Sequence, residues 1–169
     1  SYRPLCVGSL IMKATKSVLA SHINEKLEAN PLPPAIMAYR KGLGHEMAIF
    51  MATEAALHAK FTTKARHYAV CIDLDQAFNG TWRGLVELLQ WERFGIQGTL
   101  WSISRSISGN MQYRVKIHGH LTDEFTQRRG YGQGPGSSPT KYNISMEPLL
   151  CYLEQSGAGV WVGHESVWG

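Results

Sequence analysis

Cysteine is scarce in this sequence and shows no paired spacing: Cys6, Cys71 and Cys151 stand singly among apolar neighbours. Such an odd, scattered set argues against a disulfide framework or a cysteine zinc site, and suits reduced, buried thiols. The seven histidines show no metal-ligand pairing; His118 and His120 merely flank Gly119 in a turn signal. No run of about 18 apolar residues occurs, so no membrane-spanning helix is expected. Repeats, low-complexity linkers and a signal-peptide pattern are missing too, and no segment matches a Walker-type phosphate loop. Acidic residues are outnumbered, 13 to 17, giving a formal charge of +4 and a pI near 9.0. That balance is compatible with a polyanionic partner without requiring one.

What is present is enough for a globular fold. With 169 residues, 44% of them hydrophobic, the chain can bury roughly 70% of its unfolded surface. Apolar residues at Ile11, Ala14, Val18, Ile23 and Leu27 predict an amphipathic helix over residues 10–27, stopped by Pro31, Pro33 and Pro34. Its lysines, Lys13, Lys16 and Lys26, are expected on a solvated face. A second helix is expected over 46–60, then a strand over 67–73. A helix over 82–93 follows, with Leu85, Leu88, Leu89 and Trp91 as its core face and Gly95 as its end. A further helix runs through Leu100, Ile103 and Ile107. Strict alternation over 111–117 marks a half-buried strand, and 121–127 is its hairpin partner across His118-Gly119. A helix over 138–154 and a short strand over 159–163 close the chain. The sum is an α+β fold, with helices on one face of a small, mostly antiparallel sheet.

Two segments carry chemistry. Residues 68–78 read Tyr-Ala-Val-Cys-Ile-Asp-Leu-Asp-Gln-Ala-Phe, an apolar run that delivers Asp73 and Asp75 and then Phe78. A carboxylate at the tip of a buried strand is costly unless something positive meets it, and a divalent cation is one such partner. The other reading is an Asp that caps the following helix. The second segment, residues 129–139, reads Arg-Gly-Tyr-Gly-Gln-Gly-Pro-Gly-Ser-Ser-Pro and leads into an apolar helix. Ser138 and Pro139 suit an N-cap and first turn, a structural role.

Taken with Tyr2-Arg3-Pro4 and Tyr39-Arg40-Lys41-Gly42, these segments stand in a distinctive order. The chain resembles, over nearly its whole length, the reverse transcriptases of retrotransposons that lack long terminal repeats. In that family an opening Tyr-Arg-Pro precedes a Phe-Arg-Lys-Gly-like segment, then Asp-x-x-x-Ala-Phe, then Gln-Gly-x-x-x-Ser-Pro. The resemblance implies the fingers and partial palm of a right-hand polymerase, with residues 1–66 fingers-like and 67–169 palm. It implies that Asp73 and the Leu74 carbonyl bind catalytic Mg2+, and that Phe78 lies under the incoming sugar and excludes a 2′ hydroxyl. Gln133 and Gly134 would lie along the nucleotide, while Arg40 and Lys41 would hold its phosphates. For Phe78 simple core packing, and for Arg40 and Lys41 exposed surface charge, remain open alternatives. Implied partners are template RNA, a DNA primer and deoxynucleoside triphosphates, and the implied location is intracellular, cytoplasmic or nuclear.

The pattern also breaks. Leu43 stands where many relatives have Arg, Pro135-Gly136-Ser137 replaces Asp-Pro-Leu, and Asn79 replaces an Asp. The family's Tyr-x-Asp-Asp hairpin does not occur by Gly169, and Asp123-Glu124 precedes the Gln-Gly loop and cannot substitute by order. The expectation is a fragment that is inactive alone and poorly soluble through an unpaired sheet edge. The alternative is a non-catalytic, nucleic-acid-binding remnant of a decayed element.

Overall fold

The computed structural model describes residues 6–64, 66–109, 111–132 and 136–157, and the backbone of 160–162 and 165–167. Six helices and three two-stranded antiparallel ladders are found among them, an α+β composition. They fall into two compact units interleaved in sequence: residues 1–31 with 75–145, and residues 32–74 with 146–169.

In the first unit, α1 (Leu10–Ala29) opens at Ser9, whose hydroxyl accepts the Met12 N–H at 3.2 Å and so satisfies one free helix-start donor. Its buried stripe is Lys16, Leu19, Ala20, Ile23 and Leu27. Ile11 and Val18 are exposed, against expectation, and Lys16 is buried where a solvated lysine was expected. The inward stripe faces α5 (Gly98–Gly109), which brings the Lys16 position under cover.

The helix expected over 82–93 is α4 (Arg83–Glu92), packed against α5. Its core face is not the expected one. Val86 and Gln90 are buried, Leu85 and Leu89 are half-buried, and Leu88 and Trp91 are exposed. The polar side of α5 explains the rotation. Ser104 Oγ lies 3.4 Å from Gln90 Oε1, Trp101 Nε1 donates to the Glu87 carbonyl at 2.9 Å, and the Trp91 and Trp101 rings meet edge-on at 5.2 Å. Gly95 ends α4 with φ +61°, letting the Ile96 N–H return to the Gln90 carbonyl at 2.7 Å. Phe94 and Ile96, on either side of it, are sealed from solvent.

The strand expected over 111–117 is broken into β1 (Gln112–Tyr113) and β2 (Lys116–Ile117), which pair with β4 (Phe125–Thr126) and β3 (His120–Leu121). His118 and Gly119 both have positive φ, as a two-residue hairpin turn demands. The register slips by one between the ladders, Ile117 facing His120 but Tyr113 facing Phe125, and this slip divides the hairpin in two. Helix α6 (Ser138–Gln155) matches the expected span.

In the second unit, α2 (His45–His58) runs into a π-helical turn, Ala59–Thr63, and packs on β5 (Val160–Val162), which pairs with β6 (Glu165–Val167). The strand expected over 67–73 is not there. Residues 66–74 are irregular, and Tyr68, Val70 and Ile72 are 77–83% exposed. Among the described residues no strand pairs with this apolar run, and without a ladder its backbone groups are not held in strand geometry. The three cysteines are free, as expected, but none is fully buried and Cys71 is exposed.

Candidate functional site

Phe78 lies on α3 (Ala77–Gly80), a single helical turn entered through Gln76 at φ +50°. The turn is closed by Gly80 N–H to the Gln76 carbonyl, and Thr81 Oγ1 donates to the Ala77 carbonyl, both at 2.8 Å. The Phe78 ring is half-buried, its centroid 5.0 Å from that of Tyr142 on α6, tilted by 37°. Aromatic pairs at such separations gain about 0.5–1.5 kcal/mol beyond burial.

The backbone just ahead of Gln133 is strapped onto the same turn. Gly130 N–H donates to the Thr81 carbonyl at 2.9 Å and Tyr131 N–H to the Phe78 carbonyl at 2.8 Å. Only glycine fits at position 130: φ is +72°, and a Cβ would collide with the Asn79 backbone. On the far side of the loop, Ser138 Oγ donates to the Gly132 carbonyl at 2.9 Å.

Beneath the strap lies a cationic cluster that the sequence reading did not single out. Arg83, at the start of α4, donates from Nε to the Gly130 carbonyl and from one terminal nitrogen to the Ser108 carbonyl, both at 2.6 Å. Lys141 on α6 donates to Ser108 Oγ at 2.6 Å and to the Ser104 carbonyl at 3.2 Å. Both cations face the Tyr131 ring, Lys141 at 5.2 Å and Arg83 at 5.9 Å. Lys16 reaches the cluster from α1, its ammonium 2.8 Å from Met111 sulfur. Desolvation, reinforced by Lys16 and Arg83 and opposed by Glu87, lowers the Lys141 pKa to about 7. Lys16 is lowered mainly by burial, and burial pushes the Tyr131 phenol up strongly. One signal was available in the sequence: Arg83 and Lys141 fall in first helical turns, where the helix dipole disfavours a cation unless another contact holds it.

Other expected site residues belong to the second unit. Asp73 and Leu74 are exposed in the irregular segment of the second unit. Among the described residues no group of three histidine, cysteine or acidic side chains gathers into a metal cluster. Asp73 and the Leu74 carbonyl are hard oxygen donors that suit a divalent ion needing further ligands from phosphate and water. Arg40 is half-buried, one terminal nitrogen donating to the carbonyls of Pro33 and Ile36 at 3.1 and 3.0 Å, while Lys41 is exposed. Gln133, Gly134 and the opening Tyr2-Arg3-Pro4 lie outside the described residues.

Comparison with known proteins agrees with the family resemblance. The family described as "Reverse transcriptase (RNA-dependent DNA polymerase)" matches residues 1–162. The "Retrovirus-related Pol polyprotein from type-1 retrotransposable element R2" of Popillia japonica is 25% identical over 170 residues. The alignment covers 99% of this chain and 23% of that polyprotein, so the chain spans under a quarter of its relative's length. A family match over almost every residue leads to one conclusion: the chain belongs to the reverse transcriptase family.

Proposed function

We propose that these residues form the fingers (1–66) and part of the palm (67–169) of a template-directed deoxynucleotidyl transferase. The observation that carries the reading is the contact of one motif with residues on either side of the other. Phe78, from the Asp-x-x-x-Ala-Phe segment, packs its ring against Tyr142 and its carbonyl accepts the Tyr131 N–H, and those two residues flank the Gln-Gly loop. In this reading Phe78 is the surface against which the nucleotide sugar rests, and Gln133 and Gly134 align the nucleotide. Arg40 and Lys41 neutralise its phosphates. Asp73 and the Leu74 carbonyl are ligands for magnesium. When bound, a pair of such ions supplies charge stabilisation for the attacking and leaving oxygens. Template RNA, a DNA primer and deoxynucleoside triphosphates are the partners, which sets the reaction in the cytoplasm or nucleus.

Primer extension on an RNA template, with the complete reading frame and magnesium, tests this. Asp73→Asn is expected to lower the rate by about 100-fold or more through lost electrostatic stabilisation. Undiminished extension by that variant removes Asp73 from its role. Retained nucleic-acid binding with no extension by the unaltered protein would favour the decayed, binding-only remnant.

A further inference from the structure

Arg83 occupies a position that no motif marks, yet it joins three elements around the strap. Its guanidinium takes the Gly130 carbonyl with Nε and the Ser108 carbonyl with a terminal nitrogen, at 2.6 Å each. The first bond fixes the residue ahead of Tyr131, and the second anchors the guanidinium to the C-terminal end of α5. Gly130 and Tyr131 in turn donate to the carbonyls of Thr81 and Phe78, one residue after α3 and within it. A charged fork donating to two carbonyls is geometrically stiff in a way that a lysine point charge is not. The Tyr131 ring, with Arg83 and Lys141 both facing it, is held against the same cluster.

We infer that Arg83 is a positioning residue for sugar discrimination: by clamping Gly130 it holds the strap on α3 and so sets the place of the Phe78 ring. This rests on the reading that Phe78 meets the sugar. Arg83 touches neither nucleotide nor metal in this scheme. Its effect passes through the Gly130 carbonyl, the Tyr131 N–H and the Phe78 carbonyl. Lys16 and Lys141 do not duplicate it, since their ammonium groups bond Met111 sulfur and the Ser104 and Ser108 oxygens.

The experiment compares unaltered protein, Arg83→Lys, Arg83→Ala, Phe78→Val and the Arg83→Lys/Phe78→Val double variant, each in the complete reading frame. Primer extension with deoxy- and ribonucleotides gives the discrimination ratio, and amide exchange across residues 129–132 reports the strap. Arg83→Lys is expected to raise the deoxynucleotide KM and relax discrimination by about tenfold, with kcat less affected. It should relax nothing further in the Phe78→Val background, because both changes act through one ring. Exchange at Tyr131 should accelerate by about tenfold or more in both Arg83 variants while α1 stays protected. Unchanged discrimination in Arg83→Lys, or additive relaxation in the double variant, overturns the inference. Unchanged discrimination in Phe78→Val instead sinks the sugar-gate reading itself. Exchange then decides alone whether Arg83 holds the strap, and unaltered Tyr131 protection in Arg83→Ala would show that it does not.

Discussion

Lys141 places its ammonium 2.6 Å from the Ser108 hydroxyl, in a site 2% exposed, with no carboxylate in salt-bridge range among the described residues. Glu87, the acidic group acting on it, lies 3.4 Å from Arg105 Nε. Burying that amine therefore costs free energy wherever it must keep its proton.

Stability should rise with pH between about 7 and 10. The folded protein gives up the Lys141 proton near pH 7, while the unfolded chain keeps it to about 10.5, so across this window the unfolded state binds more protons. Lys141 alone contributes a slope of at most roughly 1.4 kcal/mol per pH unit, and Lys16, lowered in the same direction, adds a contribution of the same sign. Above pH 10 the raised phenols of Tyr113, Tyr131 and Tyr142 oppose the trend. Urea midpoints at pH 7, 8 and 9 measure the rise. Lys141→Met should flatten it, and an equally steep slope in that variant would assign the effect to other groups.

Gly130→Ala should cost about 2–4 kcal/mol, combining a strained positive φ with a Cβ driven into the Asn79 backbone. Gly119→Ala, also at positive φ but with open space around it, should cost only about 1 kcal/mol. Equal denaturant midpoints for the two variants would contradict the close approach of strap and α3.

The two faces of α4 separate in a similar comparison. Val86 is fully buried and its truncation to Ala should cost about 2–3 kcal/mol, whereas Leu88→Ala, at a 56% exposed position, should stay within about 0.5. The reverse order would restore the helix face that apolar spacing suggested.

Arg40→Ala and Lys41→Ala should part company in stability and agree in kinetics. The first loses charge-assisted bonds to two carbonyls, worth about 1.5–3 kcal/mol, and the second removes only an exposed charge. Both should raise the KM for deoxynucleoside triphosphates in the complete polymerase. A Lys41→Ala variant with unaltered KM would leave that lysine as surface charge.

Much of the secondary structure was legible because local rules decide it. Pro31 stands just past the end of α1, Gly95 stops α4, His118-Gly119 turns the hairpin, and Ser138-Pro139 opens α6. Each signal acts within a turn or two of itself. The family was legible for a related reason: motif order survives along a chain even where single residues drift.

What local signals could not settle is which face of a helix turns inward, or whether an apolar run finds a partner. Val86 and Gln90 displaced Leu88 and Trp91 because α5 offered Ser104 and Trp101, and residues 67–73 stayed irregular with no ladder to join. The same holds for the site. Sequence supplied Phe78 and the Gln-Gly loop as separate motifs, and it hid Arg83, Tyr131, Lys141 and Tyr142 among ordinary helix and loop positions. Only the folded chain brings a guanidinium from α4, a lysine and a ring from α6, and a glycine strap to one place. The reason is physical: hydrogen bonding along a helix is satisfied by near neighbours, but a buried cation must take its partners from whatever the rest of the chain packs against it.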